Sequence, residues 1–236
     1  MRRLYDKNEV TFAVLWIVFY CVLMANMQGA YGYEGFPTFA ALAAIAAAIF
    51  FFVKHEHLEA RYGLDHWPKD TKRYLYLIPM WIAATGNLWS GFGMEYQGIQ
   101  QLLATLSMAL VGFIEEMLFR GFLFRGMLKD GKTLNAIIIS SLTFGIGHIV
   151  NLFAGHASFE TFVQIFFAIS WGFIFTMVYY RCGSILPCIL AHSMIDVFSL
   201  YNKESLLMDW VYIISTIVIA ILYCTYLYRI GNKEKV

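Results

Sequence analysis

Apolar residues gather into eight runs along the chain, at 10–27, 39–53, 74–88, 99–119, 134–149, 159–180, 185–201 and 206–230. A helix that crosses a bilayer needs ~20 predominantly apolar residues. Some runs reach that length; the others must borrow flanking residues or tilt. Arg2, Arg3 and Lys7 precede the first run, as in a signal peptide. No small-residue cleavage site follows, and seven further runs do, so the first is also expected to be a helix. The pattern predicts an all-α polytopic membrane protein of about eight transmembrane helices, forming one integral membrane domain over 1–236.

Composition agrees. Apolar residues make up 60% of the chain and charged residues 14%, against roughly 25% charged in a soluble domain. Too little charge is present to cover a water-facing globule. The charges are also unevenly placed. With the N-terminus inside, sixteen of the 17 Lys and Arg residues fall on inside segments, and only Lys203 falls outside. That asymmetry predicts a multi-pass protein of the cell membrane with both termini in the cytoplasm. A net charge of +1 offers nothing to nucleic acid. The four cysteines lie in or beside apolar runs without metal-type spacing, and read as buried or lipid-facing residues. The loop 54–73 holds His55, His57 and His66; it reads as a solvated, headgroup-facing loop in preference to a metal site.

Few ionisable residues lie inside the apolar runs: Glu115, Glu116, His148, His192 and Asp196, with Arg120 just beyond the first pair. Each buried charge costs at least ~2.5–3.5 kcal/mol and needs a partner or a wet cavity. They sit on the fourth, fifth and seventh runs. Counting 1.5 Å per helical residue from the basic loops places them at compatible depths, ~10 to 21 Å in. A site among those three helices, open to the cytoplasm, is the expectation. Glu116 and Arg120 are four apart and share a helix face, so they can pair. Glu115 is rotated away and less easily neutralised, which suits a general base. His192 and Asp196 are also four apart, so the aspartate could orient the imidazole. Gly112, Gly145 and Gly147 would let helices approach closely.

Three motifs then carry a resemblance. Glu115-Glu116-Met-Leu-Phe-Arg120 fits Glu-Glu-x-x-x-Arg, Phe144-Gly-Ile-Gly-His148 fits Phe-x-x-x-His, and His192-Ser-Met-Ile-Asp196 fits His-x-x-x-Asn/Asp. In this order, each on its own apolar run, they resemble the CAAX-protease and bacteriocin-processing (CPBP, or Abi) family of intramembrane proteases. The motif-bearing core covers about 98–200; the first three runs carry nothing diagnostic. The resemblance implies an intramembrane endopeptidase acting on a peptide or protein substrate, prenylated or membrane-embedded. Glu115 would activate water with help from His148, Glu116 and Arg120 would hold the site, and His192 and Asp196 would face the oxyanion. Prenyl-processing relatives commonly have Asn at the last position, and an ionised Asp196 cannot donate a hydrogen bond. It must be protonated or serve to orient His192, which weakens the case for a prenylated substrate.

Two hydrolytic mechanisms fit the residues. A glutamate base could work without a metal, and this is preferred. Alternatively His148, His192 and Glu115 could hold zinc with a water in the fourth position; no His-Glu-x-x-His motif is present. Outside catalysis, the alternatives are a bacteriocin-immunity or scaffold protein of the same family, or a proton-coupled transporter, although no internal repeat of the transporter kind is visible.

Overall fold

The computed structural model describes residues 1–68, 75–152 and 158–233. Lys69, Lys72, Arg73 and Lys235 of the charge count, and Tyr74 of the third run, lie outside them. A short helix α1 (Arg2–Lys7) leads into α2 (Glu9–Tyr31). Asn8 separates the two, its side-chain oxygen accepting from Thr11 N at 2.8 Å as an N-cap. There follow α3 (Phe36–His55), α4 (Glu59–Tyr62) and α5 (Ile78–Ala84). The next is α6 (Gly98–Met127), then α7 (Thr133–Gly147) and α8 (Ser158–Cys182). The chain closes with α9 (Leu186–Ser199) and α10 (Leu206–Lys233). Pro37 and Pro187 occupy first-turn positions of α3 and α9, where the missing N–H costs nothing.

Every apolar run becomes helix, but not every helix can cross a bilayer. Five are long and apolar enough: α2, α3, α6, α8 and α10. The helices at 75–84, 133–147 and 186–199 are too short. The last two span ~22 and ~21 Å, against a hydrocarbon core of ~30 Å. Short helices are tolerable here because neighbours wrap them and satisfy their ends. Large apolar side chains such as Phe19, Val22, Phe51, Ile221 and Leu222 point outward, suited to lipid.

The helices alternate in direction, giving the bundle two faces. The near face carries the chain start. There Glu9 pairs with Arg61 at 2.7 Å and Lys129 at 2.9 Å, and Arg2 pairs with Glu56. On the same face Ser184 Oγ donates to Gly63 O and His66 O at 3.1 and 2.7 Å. Gly63 has a left-handed φ of 65°, and a Cβ there would meet the Gly183–Ser184 backbone. At the far face the loops after α5 and α9 pair, through an isolated bridge between Phe92 and Asn202 and the bonds Gly93 N→Tyr201 O (2.8 Å) and Glu95 N→Leu200 O (3.0 Å).

Behind the near face, rings fill the bundle. Phe122 lies 5.2 Å from Phe12 and 5.4 Å from Tyr62, and Tyr5 and Phe52 complete the cluster. The Tyr5 and Tyr62 hydroxyls bond each other at 2.8 Å. Burial pushes the Tyr5 hydroxyl up to about 12, so the pair is neutral at physiological pH.

Candidate active site

Glu115 and Glu116 end the α-helical part of α6. The next eight residues, Met117–Phe124, form a π-helical stretch, and all of them are buried. Such widened turns are rare and concentrate at functional sites. This one carries Arg120, which is fully buried beside a fully buried Glu116. Arg120 donates to Glu116 Oε1 at 2.8 Å, Gly172 O at 3.2 Å and Thr176 Oγ1 at 3.4 Å. Its guanidinium also stands 4.2 Å from the Phe144 ring centre and 5.3 Å from that of Phe175. Hydrogen bonds and ring faces together compensate the loss of water. The carbonyl of Gly172 is reachable because α7 and α8 are in close contact: a Cβ at Gly172 would lie 2.7 Å from Ser141 O.

His192 completes this group. Its Nδ1 is 2.9 Å from Glu116 Oε1, an ion-paired acceptor, so Nδ1 carries the proton and donates. The ring stacks on Phe175 at 5.3 Å and meets Phe144 edge-on. Spacing within the seventh run suggested Asp196 as the residue orienting this imidazole. The structure gives that work to Glu116, one helix away, while Asp196 Oδ2 lies 3.5 Å from Nε2 and has no hydrogen-bond partner among the described residues. Glu115 Oε2 is 3.8 Å from the same nitrogen. Neither distance is a hydrogen bond. Nε2 and the two carboxylates therefore surround a gap.

Glu115 faces that gap from the other side. Tyr20 of α2 donates to its Oε1 at 3.0 Å. His148 caps α7, with Nδ1 3.1 Å from Phe144 O. A carbonyl only accepts, so Nδ1 carries a proton and donates, which leaves Nε2 of the neutral ring as the acceptor. The six residues singled out from sequence thus fall into two sets: Glu115, Glu116, Arg120, His192 and Asp196 form one contiguous cluster, and His148 stands on the wall of the same cavity. Sequence reading missed Tyr20, and also the support from α8 through Gly172, Phe175 and Thr176. The first three runs were expected to add nothing diagnostic; α2 supplies a direct bond to Glu115.

Among the described residues, no three His, Cys, Asp or Glu side chains stand where they would share a metal ion. The set His148, His192 and Glu115 offered for zinc is not assembled. Of the three glycines expected at close approaches, two are. A Cβ at Gly112 would lie 2.6 Å from Ser193 N, and one at Gly145 would lie 2.8 Å from Ile165 O. At Gly147 it would meet only ordinary contacts at 3.7 Å and beyond.

The cavity has a volume of about 590 Å³. Its lining comes from several helices. On α2 it includes Tyr20, Met24 and Gln28; on α8, Phe159 and Val163; on α10, Leu206 and Trp210. Tyr20 sits at the middle of α2, and the others lie toward the far-face ends of their helices. Exposed Phe159 and Leu206 mark the rim. Toward the near face, Phe119, Phe122 and Phe124 are buried and the ring cluster closes the bundle. Among the described residues, the site opens away from the face that bears Glu9, Arg61 and Lys129.

Residues 97–198, which hold all three motifs, match the family described as type II CAAX prenyl endopeptidase Rce1-like. This is the family resemblance that the motifs carried. No curated protein and no solved structure matches the chain.

Proposed function

We propose that this multi-pass membrane protein is an endopeptidase that hydrolyses a peptide bond with a water activated by Glu115. One observation carries the reading. Two adjacent glutamates have opposite surroundings: an oxygen of Glu116 is shared by Arg120 and His192, while Glu115 turns an oxygen toward a cavity. A match to a CAAX-endopeptidase family over 97–198 supports the same reaction class.

The chemistry follows from the donors and acceptors. Glu115 Oε2 takes a proton from water as the water oxygen attacks the peptide carbonyl carbon. The carbonyl π pair moves onto oxygen and gives a tetrahedral oxyanion. Glu115 then returns the proton to the leaving amine as the C–N bond breaks. Tyr20 fixes the carboxylate through its other oxygen. His148, with its lone pair on Nε2, is an acceptor for the second water hydrogen. His192, oriented by Glu116, donates from Nε2 to the oxyanion when that nitrogen is also protonated, and protonated Asp196 is the second donor. The partners are a peptide or protein substrate and the surrounding lipid. The basic-residue asymmetry supports a cell-membrane protein with both termini in the cytoplasm.

The test is cleavage of a pool of apolar, prenylated and transmembrane peptides by purified protein, with products identified by mass spectrometry and bound zinc measured on the same sample. Products made by wild type and absent with Glu115→Gln are expected. Activity that survives Glu115→Gln, or that follows stoichiometric zinc through chelation and re-addition, would replace this mechanism.

A further inference from the structure

We infer that the substrate enters from the face opposite the chain start, the exoplasmic side under the basic-residue asymmetry, as an apolar polypeptide segment cut at an internal bond. The chemistry of this step rests on the function proposed above; the side of entry does not.

Two independent observations carry it. The first is where the opening lies. The walls are built from the far-face ends of α2, α8, α9 and α10, with Gln28, Asn151, Gln164 and Ser199 forming a polar margin. In the opposite direction Phe12, Phe52, Tyr62 and Phe122 pack ring to ring, and the Glu9 ion pairs lie beyond them. A chain approaching from the near face would have to pass through that packing. Among the described residues, every basic residue but Lys203 belongs to a segment that runs to the near face, and this asymmetry argues for an exoplasmic far face.

The second is charge. A free C-terminal carboxylate is normally gripped by Arg or Lys, because only a cation recovers the hydration it gives up. No Lys or Arg lines the cavity among the described residues, whereas the carboxylates of Glu115 and Asp209 do, with Asp196 neutral as proposed above. Arg120 is buried behind the site and occupied by Glu116, Gly172 and Thr176. The cavity therefore repels an anionic chain end. Its other walls, including Met24, Met108, Val111, Phe167 and Ile213, suit an apolar segment whose polar backbone is drawn to the few polar groups within.

The experiment labels Gln28→Cys at the mouth and His55→Cys at the near face, each in a chain whose four native cysteines are replaced by alanine, with a charged, membrane-impermeant maleimide. Right-side-out and inverted membrane vesicles are compared. Because a charged reagent crosses hydrocarbon poorly, Gln28→Cys should label about tenfold or more faster in right-side-out vesicles, and His55→Cys should show the reverse. Labelling of Gln28→Cys only in inverted vesicles, or in neither, overturns the side of entry. In the second arm, purified protein cleaves one peptide as the free acid and as the C-terminal amide. A rate changed by less than about threefold is expected; a loss of tenfold or more on amidation, the size of a charged hydrogen bond, overturns the internal-bond assignment. Labelling is read separately in Glu115→Gln. Intact labelling without cleavage in wild type would sink the catalytic reading and leave the side of entry standing.

Discussion

Near the chain start, Glu9 is flanked by Arg61 at 2.7 Å and Lys129 at 2.9 Å, above a packed set of rings. In the middle of the bundle, Glu115 and Asp196 stand 3.8 and 3.5 Å from His192 Nε2 beside a cavity. Both regions gather acids and cationic or imidazole side chains on several helices. In the first, Glu9 meets its cations directly, and the result is a closed seam. In the second, acceptors outnumber donors at contact distance and a gap remains for water and substrate. Direct pairing favours rigidity, whereas polar groups held just beyond contact leave capacity for a reacting molecule. Glu116 and Arg120 belong to the first kind by geometry and to the second by position: a closed pair that forms the floor of an open site.

The sharpest way to break this contrast is to open the floor. Glu116→Gln removes the counter-charge of fully buried Arg120 and an acceptor of His192 Nδ1. Breaking a buried pair costs about 3–5 kcal/mol, so thermal stability should fall along with turnover. Glu115→Gln, one residue away, should lower turnover by a factor on the order of 10² or more while the melting temperature stays put. Thermal melts and cleavage rates of the two variants measured side by side check both. Equal melting of the two proteins would erase the distinction between floor and gap.

How far the sequence foretold these regions differs with the range of the signal. The eight helices were legible because hydrophobic runs are local, and the Glu116–Arg120 pair because residues four apart share a face. Hydropathy could not say that 133–147 and 186–199 would be short, since flanking residues can always be borrowed on paper. Tyr20 carried no mark, because a tyrosine within an apolar run is ordinary. Spacing within one helix paired His192 with Asp196, which stands 3.5 Å from Nε2, but could not show the 2.9 Å bond from Nδ1 to Glu116 on another helix. The opening of the cavity is set by how eight helix ends pack, which no single run encodes.

Tyr20 sharpens the comparison from the side of α2. Its hydroxyl holds one oxygen of Glu115 from 3.0 Å, in a helix that also lines the cavity through Met24 and Gln28. Tyr20→Phe leaves the ring and deletes this bond. A hydrogen bond to a charged group is worth roughly 1.5–3 kcal/mol, so turnover should fall by about tenfold or somewhat more with KM little changed. Unaltered turnover would mean that Glu115 is placed by α6 alone.

The smallest effect is expected at the near face, and it tests whether closure there is purely structural. Glu9→Gln removes the charge shared by Arg61 and Lys129 but keeps the side-chain shape. Glu9 itself is nearly covered, while its partners are about one-third and more than half exposed. Water screens those cations and can rehydrate them when the glutamate is neutralised, so the loss should be about 1 kcal/mol, well below that at Glu116. The site lies on the other side of the ring cluster, and Glu9 touches none of its groups. Turnover per folded molecule should therefore match wild type across the pH range where both proteins stay folded. Stability is read by thermal melting in lipid, and turnover by cleavage rate normalised to folded protein. A drop in turnover larger than the drop in stability would show that the seam and the cavity move together, and that the near half does more than close the bundle.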